Sequence, residues 1–199
     1  MCKKGRFIVF EGVDGAGKTL LANSLKDDLL AKGERVMYLS FPGRGEGTLG
    51  WHIYQLHERP EIYGVNSVHP LSLQLLHIAA HIDTIENILK PELYKGTTVI
   101  LDRYWWSTYV YGKASGIDSK CISKVIDVEK ELLKGFEPDV CFYIYREEGM
   151  NSKISRNLAL KLNSIYRDLI VGFENVVLVD NSQGIDETLF FIKSECDSL

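Results

Sequence analysis

Five short apolar runs, at residues 6–10, 35–41, 97–102, 139–145 and 175–180, divide the chain. Each is close to continuous in apolar and aromatic residues instead of alternating with polar ones, the pattern of strands covered on both faces. Between the runs, apolar residues return at helical spacing. Leu20, Leu21, Leu25 and Leu29 follow the first run, and Leu71, Leu75, Ile78, Ile82, Ile85 and Leu89 mark a long helix within Ser67 to Leu93. Pro70 suits the first turn of that helix, and Pro91 lies near its end. The alternation of strand and helix predicts right-handed crossovers, and so an α/β fold with a five-stranded parallel sheet and helices on both faces. With 199 residues and no internal repeat, low-complexity tract or linker, the chain is expected to form one domain over residues 1–199.

The end of the first run adds chemistry to this pattern. Gly12, four residues, Gly17, Lys18 and Thr19 have P-loop spacing, with a strand before and a helix after, as that motif requires. Its glycines, Gly12, Gly15 and Gly17 with Ala16 between, let the backbone turn its N–H groups onto a phosphate, and the new helix adds positive potential. Lys18 is expected to neutralise the β- and γ-phosphates of a nucleotide, and the Thr19 hydroxyl to hold Mg²⁺. The third run ends in Asp102-Arg103, where a second magnesium-organising carboxylate and a phosphate clamp belong. Gly43 to Gly47 forms a flexible loop after the second run, at the edge where open α/β sheets bind ligands.

Composition narrows the class. A hydrophobic content of 45% and a charged content of 25% are those of an ordinary globular chain. The formal net charge of −4 argues against a general nucleic-acid binder. No apolar run reaches membrane-spanning length, and the P-loop starts too near the N-terminus to leave room for a signal peptide. The four cysteines, Cys2, Cys121, Cys141 and Cys196, form no C-x-x-C pair, so neither a zinc site nor a disulfide framework is suggested. A reducing cytoplasm fits, and Cys141 is expected to be a buried free thiol.

Beyond these local signals, the chain resembles the thymidylate kinase family of nucleoside monophosphate kinases. Phe10-Glu-Gly-Val-Asp-Gly-Ala-Gly-Lys-Thr19 looks like that family's P-loop, Phe41-Pro-Gly-Arg44 like its F-P-x-R, and Asp102-Arg-Tyr-Trp-Trp-Ser107 like its D-R-Y-x-x-S signature. Gly47-Thr-Leu-Gly50, Pro138-Asp139 and the stretch from Leu158 to Tyr166 follow in the family's order. The resemblance implies the P-loop kinase fold and transfer of a phosphoryl group from Mg-ATP to a small nucleotide, dTMP first, without nucleic acid or membrane, commonly in a homodimer. It implies acceptor-binding helices at about 47–93 and a lid at about 146–157. Asp14 would approach the acceptor's sugar hydroxyl, Arg44 with Phe41 and Pro42 would grip the acceptor, Tyr111 would line its site, and Arg103 would act on the transferring phosphate. Thr19 and Asp102 would serve the metal.

The family presents a base-stacking aromatic residue and, one turn later, an arginine that bonds the base. His77 and His81 occupy those places. The two histidines also have the i,i+4 spacing of metal ligands, but no third ligand accompanies them, and packing or substrate contact remain open readings. A different acceptor, either another nucleotide or a phosphorylated metabolite, therefore stays open, as does a nucleotide-binding protein without turnover. Relatives that lack a P-loop arginine, as this chain does with Ala16, carry catalytic arginines in the lid. Here the connection after the fourth strand is short and offers only Arg146, Lys153 and Arg156. Arg156 is expected to take that role, with Arg146 second.

Overall fold

The structure is a computed structural model, and it describes residues 5–146, 154–182 and 184–198. Five strands, β1 (Phe7–Glu11), β2 (Val36–Ser40), β3 (Thr98–Asp102), β4 (Val140–Tyr145) and β5 (Val176–Asp180), form one parallel sheet in the order β2-β3-β1-β4-β5. The central β1 and β3 are buried at every residue, as their continuous apolar runs require. The edge strands depart from that expectation. β2 is only half-buried along most of its length, and Leu178 and Asp180 of β5 are exposed, because an edge strand is covered less completely.

Eight α-helices flank the sheet among the described residues: α1 (Lys18–Ala31), α2 (Leu49–Glu58), α3 (Pro70–Thr84), α4 (Lys90–Tyr94), α5 (Trp105–Ala114), α6 (Ser119–Leu132), α7 (Arg156–Ile170) and α8 (Ile185–Cys196). One group pairs α1 with α8, and a second joins α3, α5, α6 and α7. The long helix predicted from Ser67 to Leu93 begins at Pro70, and it is not α-helical throughout. A π-helical turn at Ile85–Leu89 separates α3 from α4, with the Lys90 N–H reaching the Ile85 carbonyl. Pro91 explains the interruption, since its ring lacks an N–H and crowds the carbonyl four residues back.

Strand register brings the chemistry together. Phe10 lies beside Asp102, and Ser40 lies on the other side of Asp102. The Arg103 N–H donates to the Phe10 carbonyl at 2.9 Å, and the Phe41 N–H donates to the Asp102 carbonyl at 3.0 Å. The Asn181 N–H donates to the Tyr145 carbonyl at 2.9 Å. Every loop that carries a candidate residue from β1, β2 and β3 thus leaves the same carboxyl edge, where ligands bind in open parallel sheets.

Candidate active site

The P-loop turns where only glycine turns easily. Gly12 has φ 138°, and a Cβ there would stand 2.1 Å from the Ile144 carbonyl oxygen. Gly17, at φ 100°, is the residue from which α1 springs, and a Cβ there would meet Asn181 at 2.3 Å. Asn181 itself holds the loop, donating from Nδ2 to the Ala16 carbonyl at 2.8 Å. Inside this cradle Lys18 is buried, its Nζ donating to the Val13 carbonyl at 2.8 Å. Burial, and after it the neighbouring Arg103 charge, push the Lys18 ammonium down to about 8 against the pull of Asp102, Asp14 and Glu11.

Asp102 is buried at the end of β3. Its Oδ2 accepts from the Thr19 hydroxyl at 2.5 Å and from the Tyr38 hydroxyl at 3.0 Å. Its Oδ1 is buried and has no hydrogen-bond partner among the described residues. A desolvated carboxylate oxygen with nothing to accept, beside a threonine hydroxyl, is a donor set suited to a hard divalent cation.

Arg103 and Asp14 form the seam between two cavities. The guanidinium of Arg103 is hydrogen-bonded and ion-paired to Asp14 Oδ1, donates to Ser107 Oγ at 3.1 Å, and lies 5.5 Å from the Tyr111 ring centroid. Asp14 Oδ2 accepts from the Tyr111 hydroxyl at 3.1 Å. Burial works against the Asp14 charge, but Arg103 and then Lys18 outweigh it and hold the carboxyl below its usual range. One cavity is lined by Gly15, Gly17, Lys18, Thr19, Leu20 and Asp102, the P-loop and the end of β3. The other runs between α2, α3 and α5 and contains Phe41, Pro42, Tyr54, His57, Gln74, His77, His81, Thr108 and Tyr111. Asp14, Arg44 and Arg103 line both. Arg44 is otherwise exposed, 5.9 Å from the Tyr54 ring centroid, and it follows a cis Phe41–Pro42 peptide.

His77 and His81 face this second cavity together, but they do not act as a pair. The ring of His81 is stacked on Phe41 with centroids 4.0 Å apart and planes at 11°, and its Nδ1 is 2.8 Å from Glu129 Oε2. His77 lies 6.4 Å from His81 and 5.1 Å from His57. Burial first, then the neighbouring His81, push the His77 imidazole down to about 3, so it is neutral at ordinary pH. No cluster of three His, Cys, Asp or Glu side chains suited to a metal exists among the described residues.

The two lid candidates fall outside this assembly. Arg156 opens α7 in an exposed position and lines neither cavity. Arg146 is half-buried, with its Nε enclosed and without a partner among the described residues. Residues 147–153, which include Lys153 and most of the expected lid, lie outside the described residues.

Several functional neighbours were not legible as such in the sequence. Glu11 is completely buried. Its Oε1 accepts the Tyr104 N–H at 2.7 Å and the Ser107 N–H at 3.0 Å, and its Oε2 accepts the Ser107 and Tyr166 hydroxyls, both at 2.9 Å. It thereby caps α5 from another strand and fixes the turn that carries Arg103, whose φ is 76°. Gln74, Thr108, His57, Tyr38 and Asn181 likewise reach the site from far along the chain, and no motif marks them. Tyr166 of α7, whose hydroxyl donates to Glu11, closes that network.

The comparisons agree with this geometry. A sequence model described as thymidylate kinase matches residues 10–168, a span that runs from the end of β1 into α7. The thymidylate kinase of Buchnera aphidicola subsp. Baizongia pistaciae is 30% identical over 97% of this chain and 93% of its own length. That of Francisella tularensis subsp. holarctica is 25% identical over 92% and 91%. The crystal structure of thymidylate kinase from Ehrlichia chaffeensis superposes with a TM-score of 0.75 at 21% identity, covering 96% of this chain and 98% of that one. With the family model matching residues 10–168 and a relative 30% identical over 97% of the chain, in agreement with a P-loop cradle joined to a second cavity, this protein belongs to the thymidylate kinase family.

Proposed function

We propose that this protein transfers the γ-phosphoryl group of ATP to the phosphate of dTMP, giving dTDP. The observation that carries the reading is the continuity of the two cavities: Asp14, Arg44 and Arg103 belong to both, so two bound phosphates would meet where those residues stand. Lys18 holds the donor phosphates with the backbone N–H groups of Gly15, Gly17 and Thr19, while Gly12 and Ala16, whose N–H groups already donate to Glu11 Oε2 and the Val13 carbonyl, shape the loop. Arg44 orients the acceptor phosphate, and Asp14 takes the sugar hydroxyl. Arg103, released from Asp14 as the acceptor enters, adds positive charge at the transferring group, so catalysis is positioning and charge neutralisation. Thr19 and Asp102 would hold Mg²⁺, which would supply charge neutralisation for the phosphates.

Further parts of the proposal rest on the surroundings. The helices between about 47 and 93 form the acceptor wall, and the segment at about 146–157 serves as lid, with Arg156 as its catalytic arginine and Arg146 second. An arginine at the first position of α7, with no acidic residue in that turn, adds to the positive helix end and favours an anion nearby. Exposed Leu75 on α3 and Val128 on α6, two helices in mutual contact, support a homodimer through that face. A cytoplasmic setting is supported by the free thiols Cys121, Cys141 and Cys196. No helix among the described residues is long and apolar enough to cross a membrane.

The imidazoles of His77 and His81, which with His57 line the acceptor cavity, favour one second reading, a kinase for a different monophosphate. An ADP-release assay with dTMP, dUMP, dCMP, dAMP and dGMP separates the two. Turnover greatest with dTMP is expected. Turnover confined to another acceptor selects the second reading, and nucleotide binding without any turnover removes both.

A further inference from the structure

Tyr38 lines neither cavity, yet its hydroxyl donates to Asp102 Oδ2 at 3.0 Å, the oxygen that also accepts from the Thr19 hydroxyl at 2.5 Å. Strand register explains the reach. Tyr38 of β2 pairs with Ile100 of β3, and residues two apart on a strand share a face, so Tyr38 and Asp102 project to the same side of the sheet. The long Tyr38 side chain crosses the diagonal between them. The carboxyl group is thereby divided: Oδ2 takes two hydroxyl donors, while Oδ1 is buried with no partner among the described residues.

We propose that Tyr38 is a positioning residue for the divalent cation: its hydrogen bond from the edge strand fixes the plane of the Asp102 carboxyl group and so reserves Oδ1 for the cation. The inference rests on the reading that Thr19 and Asp102 hold Mg²⁺, and it adds what orients the carboxyl group. Thr19 alone does not fix that plane. The terminal torsion of an aspartate is broad, and a carboxyl group held by a single hydroxyl donor can pivot about that bond, carrying its other oxygen over a wide arc. A second donor, arriving from another strand, stops the pivot. The oxygen left out of both hydrogen bonds, in a buried place, is then the one that gains most from a cation. A donor on Oδ2 also withdraws some negative charge from the group, which taken alone would loosen the cation. Orientation outweighs this, since partners that orient metal ligands typically contribute about 10- to 100-fold to metal affinity.

The test compares the wild type with Tyr38→Phe, which keeps the ring and removes only the hydroxyl, by calorimetric titration of a non-hydrolysable imido analogue of ATP with and without Mg²⁺. Mg²⁺ should tighten binding to the wild type, and in the variant that enhancement should fall on the order of tenfold while the metal-free affinity stays close to wild type. A crystal structure of the wild type with Mg²⁺ and the same analogue provides an independent measurement. Tyr38 should still donate to one Asp102 oxygen, and the other should face the cation or one of its waters. An undiminished or increased Mg²⁺ enhancement in a folded Tyr38→Phe protein, an equal loss of affinity with and without Mg²⁺, or a complex in which Tyr38 has left Asp102 overturns the inference. Failure of the underlying reading looks different: Mg²⁺ would leave the affinity of the wild type itself unchanged.

Discussion

Lys18 is the residue on which sequence, burial and charge converge. Lys18→Ala should lower turnover by about 10² to 10³ with the fold retained, as checked by steady-state kinetics beside circular dichroism, because it deletes a charge that acts mainly on the transition state. Its depressed proton affinity gives a second expectation. The free protein releases this proton near pH 8, while a bound phosphate favours the charged form, so ATP affinity should fall above about pH 8, approaching about tenfold per pH unit. Folding stability runs the other way. Between about 8 and 10.5 the unfolded chain holds more protons on this lysine than the folded one, so the Lys18 contribution to stability rises with pH across that window. Titration calorimetry and thermal melts over the same pH series check both signs. Arg44 and Arg103 should separate in kinetics. Arg44→Ala should raise KM for dTMP on the order of tenfold and leave KM for ATP nearly unchanged, whereas Arg103→Ala should mainly depress kcat.

At the scale of elements, the N-terminus of α5 depends on a carboxylate more than ninety residues away in sequence. Burial pushes the Glu11 carboxyl above its usual range, and Arg103 with the donors from Tyr104, Tyr166 and Ser107 pulls it back. Replacing it by Gln leaves buried donors facing an amide, so Glu11→Gln should cost about 3 kcal/mol, visible in chemical denaturation, and should lower kcat by loosening the turn at Arg103. This dependence shows what was legible in the chain. Strands β1 to β5 lie within a residue or so of the five apolar runs, and the P-loop was plain, because both signals are local. The same local logic gave His77 and His81 a metal-like spacing, but it could not show that Glu129 takes one imidazole nitrogen and Phe41 one ring face. Glu11 read only as part of a motif, and Asn181, Gln74 and Thr108 carried no signal. Their roles come from contacts between distant elements, which periodicity does not encode. The π-helical turn before Pro91 belongs with them, since the proline foretold a disturbance but not its form.

The whole molecule divides its work across the central strand. The P-loop hangs from β1 and is pinned from the far side by Asn181 after β5, while the wall of the second cavity is built from α2, α3 and α5 after β2 and β3. Between the halves stands the Asp14–Arg103 pair, which under the proposed roles would have to part for Asp14 to meet a sugar hydroxyl and Arg103 a phosphate. Ligand binding on one side should therefore favour binding on the other, because the first ligand already meets the cost of breaking the pair. What remains is a second positive charge at the donor phosphates beside Lys18, since Ala16 carries none. Among the described residues of the connection between β4 and α7, Arg146 and Arg156 are the available cations. Arg156 begins a helix in solvent with no acidic residue in the first turn, the position that the proposed role as catalytic arginine requires to be open to an anion. Arg156→Ala should lower kcat by about 10² while KM for dTMP changes little, and Arg146→Ala should have a smaller effect. Equal and negligible losses in the two variants, measured at saturating ATP, would show that neither arginine supplies charge to the transferring group.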